Sequence, residues 1–136
     1  MKILYGVQGT GNGHTTRARI MAKAFAAAGA QVDWVFSGRE RDKYFDMDAF
    51  GDFQCYRGLT FATQNGKVQF LKTALTSNIA QLYRDTKKVD VEGYDFIIND
   101  FEPVSAWAAK RAGKAAADSD PARAGAVPAE CESRGE

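Results

Sequence analysis

Short apolar runs alternate with stretches of helical period along this chain, and the changes of period mark its elements. The first run, Lys2-Ile3-Leu4-Tyr5-Gly6-Val7-Gln8, reads as a buried strand. A glycine-rich loop follows, Gly9-Thr10-Gly11-Asn12-Gly13-His14, and it ends in the single histidine of the chain. The spacing then predicts a helix from about Thr15 to Ala28, with Ile20, Met21, Ala24, Phe25 and Ala28 on one buried face. Asn12 or Thr15 would cap its start, and Gly29 would stop it. A second strand is expected at Gln31 to Phe36, then a short helix at Arg39 to Phe45 anchored by Tyr44 and Phe45, and a loop at Asp46 to Asp52.

Alternation returns at Phe53-Gln54-Cys55-Tyr56-Arg57, and Leu59 to Ala62 is a further β-like piece. Gln64-Asn65-Gly66-Lys67 carries the Asn-Gly pair of a tight turn. A long helix is predicted from Val68 to Val89, striped by Phe70, Leu71, Ala74, Leu75, Ile79, Leu82 and Tyr83. Tyr94 to Asn99 is the clearest later strand. It leads through Asp100-Phe101-Glu102 to Pro103, which opens a helix at Val104 to Ala112, closed by Gly113. The order β-α-β-(α)-β-β-α-β-α implies an α/β, Rossmann-like fold with a mostly parallel sheet flanked by helices. Ligands of such sheets sit at the carboxyl ends of the strands, which brings the Gly9–His14 loop together with Asp100–Glu102.

The glycine loop is the chemical centre of this reading. Its backbone turns tightly, and a helix N-terminus behind it favours a phosphate or another anion. His14 stands where a base at physiological pH is useful. The loop fits neither common nucleotide motif. A dinucleotide fingerprint would place its third glycine at His14, and no acidic residue closes the second strand, which runs into Ser37-Gly38-Arg39. A P-loop would need a lysine at His14 and a glycine at Gln8. Glycines that merely pack helix on strand, with His14 a surface residue, are the plainer alternative.

Composition narrows the class. The chain has 136 residues, which suggests one domain, and 45% of them are hydrophobic. A net charge of +1 gives no electrostatic case for nucleic acid or for an anionic membrane. No apolar stretch approaches a membrane span, and the N-terminus lacks the features of a signal peptide. Cys55 and Cys131 follow no metal spacing, so no metal site and a reducing, cytoplasmic setting are expected. Trp34, Trp107 and the Phe70 stripe read as core. From Ala115 to Glu136 the pattern breaks: Val127 is the one large aliphatic residue and there is no aromatic. That stretch is expected to be a disordered tail, or the product of a changed reading frame near Lys114.

Several of these segments resemble a known family. The opening Met1–His14 with Arg17-Ala18, then Phe36-Ser37-Gly38-Arg39, Arg57-Gly58-Leu59-Thr60-Phe61, Asn65-Gly66-Lys67 and Asp100-Phe101-Glu102-Pro103 look like the N-terminal half of a GT-B glycosyltransferase-like family. That family is distantly similar to the peptidoglycan N-acetylglucosaminyltransferase. The resemblance covers about residues 1–114 and leaves 115–136 as the tail.

It implies an acceptor-binding domain, facing an absent C-terminal domain that would bind the nucleotide-sugar donor. The reaction implied is transfer of a sugar to the hydroxyl of a sugar or lipid-linked acceptor, with no cofactor, and the chain is expected to be inactive by itself. His14 would be the catalytic base, with Asp100 or Glu102 orienting its imidazole. Asp100 as a helix cap before Pro103 is the competing role. The Gly9, Thr10, Gly11, Asn12 and Gly13 backbone would cradle phosphates. Arg57 and Thr60 would belong to acceptor loops, with turn chemistry as the plainer role and the favoured one for Asn65. The basic residues of the first helix form a solvated face or a weak patch for an anionic lipid head group. Self-association through the uncovered domain face is expected. A non-enzymatic Rossmann-like binding module and an NAD(P)-binding domain stay open as alternatives.

Overall fold

The computed structural model describes residues 1–58, 63–64, 67–68 and 80–118. Its centre is a five-stranded sheet in the order β3-β2-β1-β6-β7, with every neighbouring pair parallel. The strands are β1 (Lys2–Gln8), β2 (Gln31–Ser37), β3 (Gln54–Tyr56), β6 (Phe96–Asp100) and β7 (Ala117–Asp118). A separate antiparallel pair joins β4 (Thr63–Gln64) to β5 (Lys67–Val68). Its register pairs Thr63 with Val68 and Gln64 with Lys67, on either side of the Asn-Gly pair.

The strands carry apolar residues on both faces because helices cover both. Tyr5, Val7, Trp34 and Phe36 pack with Ala18 of α1 (Asn12–Ala27), and with Phe50 and Phe53. Leu4, Val35 and Ile97 point the other way, toward Leu82 of α2 (80–86) and toward Val104, Ala108 and Ala109 of α3 (Pro103–Arg111). The period of two along β1 and β2 thus divides the core into two half-cores. The aromatic one is tightly interlocked: Phe36 meets Phe50 edge-on at 4.8 Å and Phe53 at 5.3 Å between ring centroids.

Several elements differ from the sequence expectation. Helix α1 starts at Asn12, three residues early, with Gly11 as its N-cap and no side-chain cap bond, so neither Asn12 nor Thr15 caps it. Its inward stripe is Thr15, Ala18, Met21, Ala22 and Phe25, whereas Ile20 is 65% exposed and Ala24 and Ala28 face outward. Six alanines from 18 to 28 blur the apolar face, so the few large side chains misplace it by a fraction of a turn.

The short helix of 39–45 is one 3₁₀ turn, Arg41–Lys43; Tyr44 packs inward, but Phe45 is 58% exposed. Val68 belongs to β5 rather than to a helix. The α2 helix ends at Thr86, whose hydroxyl donates to the Tyr83 carbonyl at 2.7 Å, and Leu82 is buried while Tyr83 is exposed. Trp107 is 52% exposed, not core, because Val104, Ser105, Ala108 and Ala109 already fill the inward face of α3. Ala117–Asp118, within the segment expected to lack structure, pairs with Ile98 and Asn99 of β6. The β-like piece at 59–62, the Asn65-Gly66 turn itself, the Phe70 stripe and 119–136 lie outside the described residues.

Candidate active site

Between β1 and β6 the sheet reverses its winding, since the chain leaves β1 toward β2 on one side and returns through β6 on the other. The carboxyl ends of those two strands mark the position where sheets of this kind hold their ligand crevice. The register sets Val7 beside Asp100 and so aligns the two strand ends.

The glycine loop crosses this edge. The Gly9 N–H donates to the Ser37 carbonyl at 2.7 Å, which ties the loop to the end of β2. Gly9 has no room for a side chain: a Cβ there would stand 2.0 Å from the Tyr44 hydroxyl. Burial raises the pKa of the Tyr44 phenol, and Cys55 adds to the shift, so the ring stays a neutral wall behind the loop. The Thr10 hydroxyl donates to Gln8 Oε1 at 3.2 Å and lies 3.4 Å from the Gly38 carbonyl, whose residue has a φ of +101°. Gly11, Asn12 and Gly13 are exposed, and a Cβ at Gly11 or Gly13 would meet nothing within 4 Å. No acidic residue sits in the first turn of α1. The first-turn N–H groups and the positive end of the helix dipole therefore border the crevice without an internal counter-charge in that turn.

His14 lies in that first turn. Its Nδ1 is 3.0 Å from Asp100 Oδ1 at the end of β6. The Asp100 side chain is fully buried, and that of His14 is 32% exposed. In the neutral imidazole whose Nδ1–H donates to the Asp100 carboxylate, Nε2 carries the lone pair. Arg17, one helical turn on, reaches the same oxygen at 3.5 Å. Among the basic residues of the first helix, expected to form a solvated face or a weak lipid-head-group patch, Arg17 is spaced three from His14, which puts the two side chains on one side of the helix. Phe101 completes the cluster. Its ring lies nearly parallel to the imidazole, at 12° and 6.5 Å between centroids, and its backbone is left-handed with φ of 57°.

Glu102 turns away from the crevice. It is the N-cap of α3, and it is 1% exposed. One carboxylate oxygen accepts from the Val104 N–H at 2.6 Å and from the Ser37 hydroxyl at 2.6 Å; the other accepts from the Ser105 N–H at 2.7 Å. Burial raises the Glu102 pKa, and the donors from Ser105, Ser37 and Val104 offset part of that rise. The cap role considered for Asp100 thus belongs to Glu102. Of the two carboxylates proposed to orient the imidazole, Asp100 is the one bonded to it. Asn99 locks the turn between them: its side-chain amide donates to the Glu102 carbonyl at 2.6 Å, and its side-chain oxygen accepts the Glu102 N–H at 3.1 Å.

Arg57 stands after β3, two strands away from β1 along the same sheet edge, and its carbonyl accepts the Gly38 N–H at 2.9 Å. Thr60 lies outside the described residues. Among the described residues, no group of three His, Cys, Asp or Glu side chains could hold a metal ion, and no helix is long and apolar enough to cross a membrane.

A sequence model of glycosyl transferase family 1 matches residues 1–117. The chain belongs to that family. Among solved structures it is similar to the crystal structure of Acinetobacter baumannii MurG, with a TM-score of 0.51 and 18% identity. That match covers 86% of this chain and 33% of the other, so the chain spans about a third of the MurG chain. At this identity the likeness speaks for the fold: an N-terminal GT-B, Rossmann-like half. No curated protein matches.

Proposed function

We propose that this chain is the acceptor-side half of a glycosyltransferase, moving a sugar from a nucleotide-sugar donor to an acceptor hydroxyl. The observation that carries the reading is the 3.0 Å bond between His14 Nδ1 and Asp100 Oδ1 at the switch point. Asp100 holds the imidazole in the tautomer whose Nε2 accepts a proton, and its charge faces the imidazolium that forms. The acceptor oxygen loses its proton to Nε2 as it attacks the anomeric carbon, and the bond from that carbon to the donor diphosphate breaks. The exposed Gly11–Gly13 backbone offers N–H groups to a diphosphate. The donor itself would rest mainly on a second domain, and the acceptor would be a sugar or a lipid-linked sugar.

The test joins this chain to the C-terminal half of a family member and measures transfer from a panel of nucleotide sugars. The chain alone is expected to give no turnover, and the joined protein to give it. His14→Ala should then lower kcat by about 10²–10⁴-fold with the melting temperature kept. Unchanged turnover would remove His14 from the role of base.

A further inference from the structure

We propose that Phe101 is the platform on which the sugar ring of the acceptor stacks, a refinement that rests on the transferase reading above. An aromatic side chain ordinarily contributes to a fold by being buried. Phe101 is 50% exposed, as are Phe45, Tyr83, Phe96 and Trp107 to a similar degree, and what sets it apart is its place beside His14. It also occupies a left-handed backbone conformation, with φ of 57°, that glycine or asparagine would adopt at lower cost. A phenylalanine rarely adopts this backbone, and such conformations concentrate at functional sites.

The turn leaves Phe101 little choice of direction. Asn99 holds both backbone groups of Glu102, Asp100 is fully buried against His14, and the Glu102 side chain is fixed in the cap of α3. The residue between these anchors is thereby held beside the imidazole, ring nearly parallel to ring. An exposed aromatic face carries negative potential that favours the C–H face of a pyranose. A ring stacked there would carry its hydroxyls along the edge of His14, the candidate base. This adjacency points to the acceptor sugar, because the ring next to the base must be the one that bears the attacking hydroxyl. A nucleobase would stack equally well but brings no such hydroxyl on its plane.

The experiment is saturation-transfer NMR on the full 136-residue chain, irradiating aromatic protons. The probes are the methyl glycosides of glucose, galactose, mannose and N-acetylglucosamine, with uridine as the stacking control. At least one glycoside should receive saturation on the C–H protons of one ring face. Phe101→Ala should raise its Kd by roughly 3–10-fold, and Phe101→Trp should retain binding. Phe101→Gly relieves the backbone conformation, so it should lose the transfer while melting no lower than the parent chain.

Glycoside binding unchanged in Phe101→Ala, saturation reaching uridine alone, no glycoside receiving it, or a large fall in melting temperature for Phe101→Gly would each overturn the proposal. Inorganic pyrophosphate, followed through the amide resonances of residues 9–14, separates the two readings. Shifts there without glycoside contact remove Phe101's role and leave the transferase reading standing. Glycoside contact through Phe101 combined with full turnover of His14→Ala does the reverse.

Discussion

Replacing Glu102 tests the support beneath the site. Its carboxylate satisfies three donors, from Val104 N–H, Ser105 N–H and the Ser37 hydroxyl, at 2.6–2.7 Å. All three of those residues are fully buried. Glu102→Ala strands the donors away from bulk water, at about 1 kcal/mol each if the space admits a water and up to about 3 each if it stays dry. Even the lower figure totals about 3 kcal/mol, a large share of the roughly 5–15 kcal/mol that holds a domain together. For a domain of this size that corresponds to a fall in melting temperature on the order of 10–20 °C. Glu102→Gln keeps one accepting oxygen and turns an amide NH₂ toward the remaining donors, so its loss should be smaller.

The pH dependence gives a second, sharper readout. Burial raises the Glu102 pKa above the ordinary 4.5. The folded state therefore holds this proton to higher pH than the unfolded chain does. Between 4.5 and the raised value the native state binds more protons, so this group's contribution to stability falls as pH rises and then levels off. Glu102→Gln has no proton to lose. The difference in melting temperature, parent minus Glu102→Gln, should therefore shrink from pH 4 upward and then become flat. Differential scanning calorimetry across that range measures it. A difference that grows with pH would mean that the three donors outweigh burial and would refute the reasoning. A Glu102→Ala variant melting within about 2 °C of the parent would refute the cap itself.

Three further outcomes are expected. Gly6→Ala places a Cβ 2.0 Å from Ser105 Oγ and 2.8 Å from Glu102 Oε2, so chemical denaturation should show a loss of about 1–3 kcal/mol. Gly13→Ala meets nothing within 4 Å in the first turn of α1 and should stabilise by about 0.5–1 kcal/mol, yet weaken pyrophosphate binding if a phosphate approaches that backbone; unchanged binding would count against the cradle. Asp100→Asn, in the joined enzyme, should lower kcat by up to about 10⁴-fold at little change in KM, and a change confined to KM would remove Asp100 from orienting the base.

Much of this arrangement was legible in the residues. The apolar runs at Lys2–Gln8 and Gln31–Phe36 and the return at Tyr94–Asn99 are strands in one parallel sheet, displaced by no more than two residues. The rule that ligands gather at strand carboxyl ends sufficed to bring His14 and Asp100 together, because it depends on strand order and not on side-chain detail. What sequence missed lies at finer scale. The cap of α3 is fixed by Pro103, whose ring suits the first helical position and so makes its predecessor, Glu102, the cap. A preference for Asp over Glu at caps pointed to Asp100 instead. Trp107 reads as core from its residue type, but Val104, Ser105, Ala108 and Ala109 take the inward face of α3 and leave it exposed. Phe101 gave no signal of its own, because a left-handed φ at a non-glycine residue is imposed by the turn around it.

That turn explains why buried polar groups are tolerated at the centre of so small a sheet. Ser37, Asn99, Glu102 and Ser105 connect the ends of β2 and β6 to the start of α3, and Gly6 leaves the space in which they meet. Apolar residues in their place would pack without directing anything, whereas hydrogen bonds fix angles as well as distances. Ser37 carries the same constraint to the glycine loop, since its hydroxyl serves Glu102 while its carbonyl receives the Gly9 N–H. The end of β6 that bears Asp100 and the glycine loop that leads into His14 are thus tied to one network. A 3.0 Å bond between side chains 86 residues apart in sequence needs that kind of support if it is to persist while a substrate comes and goes.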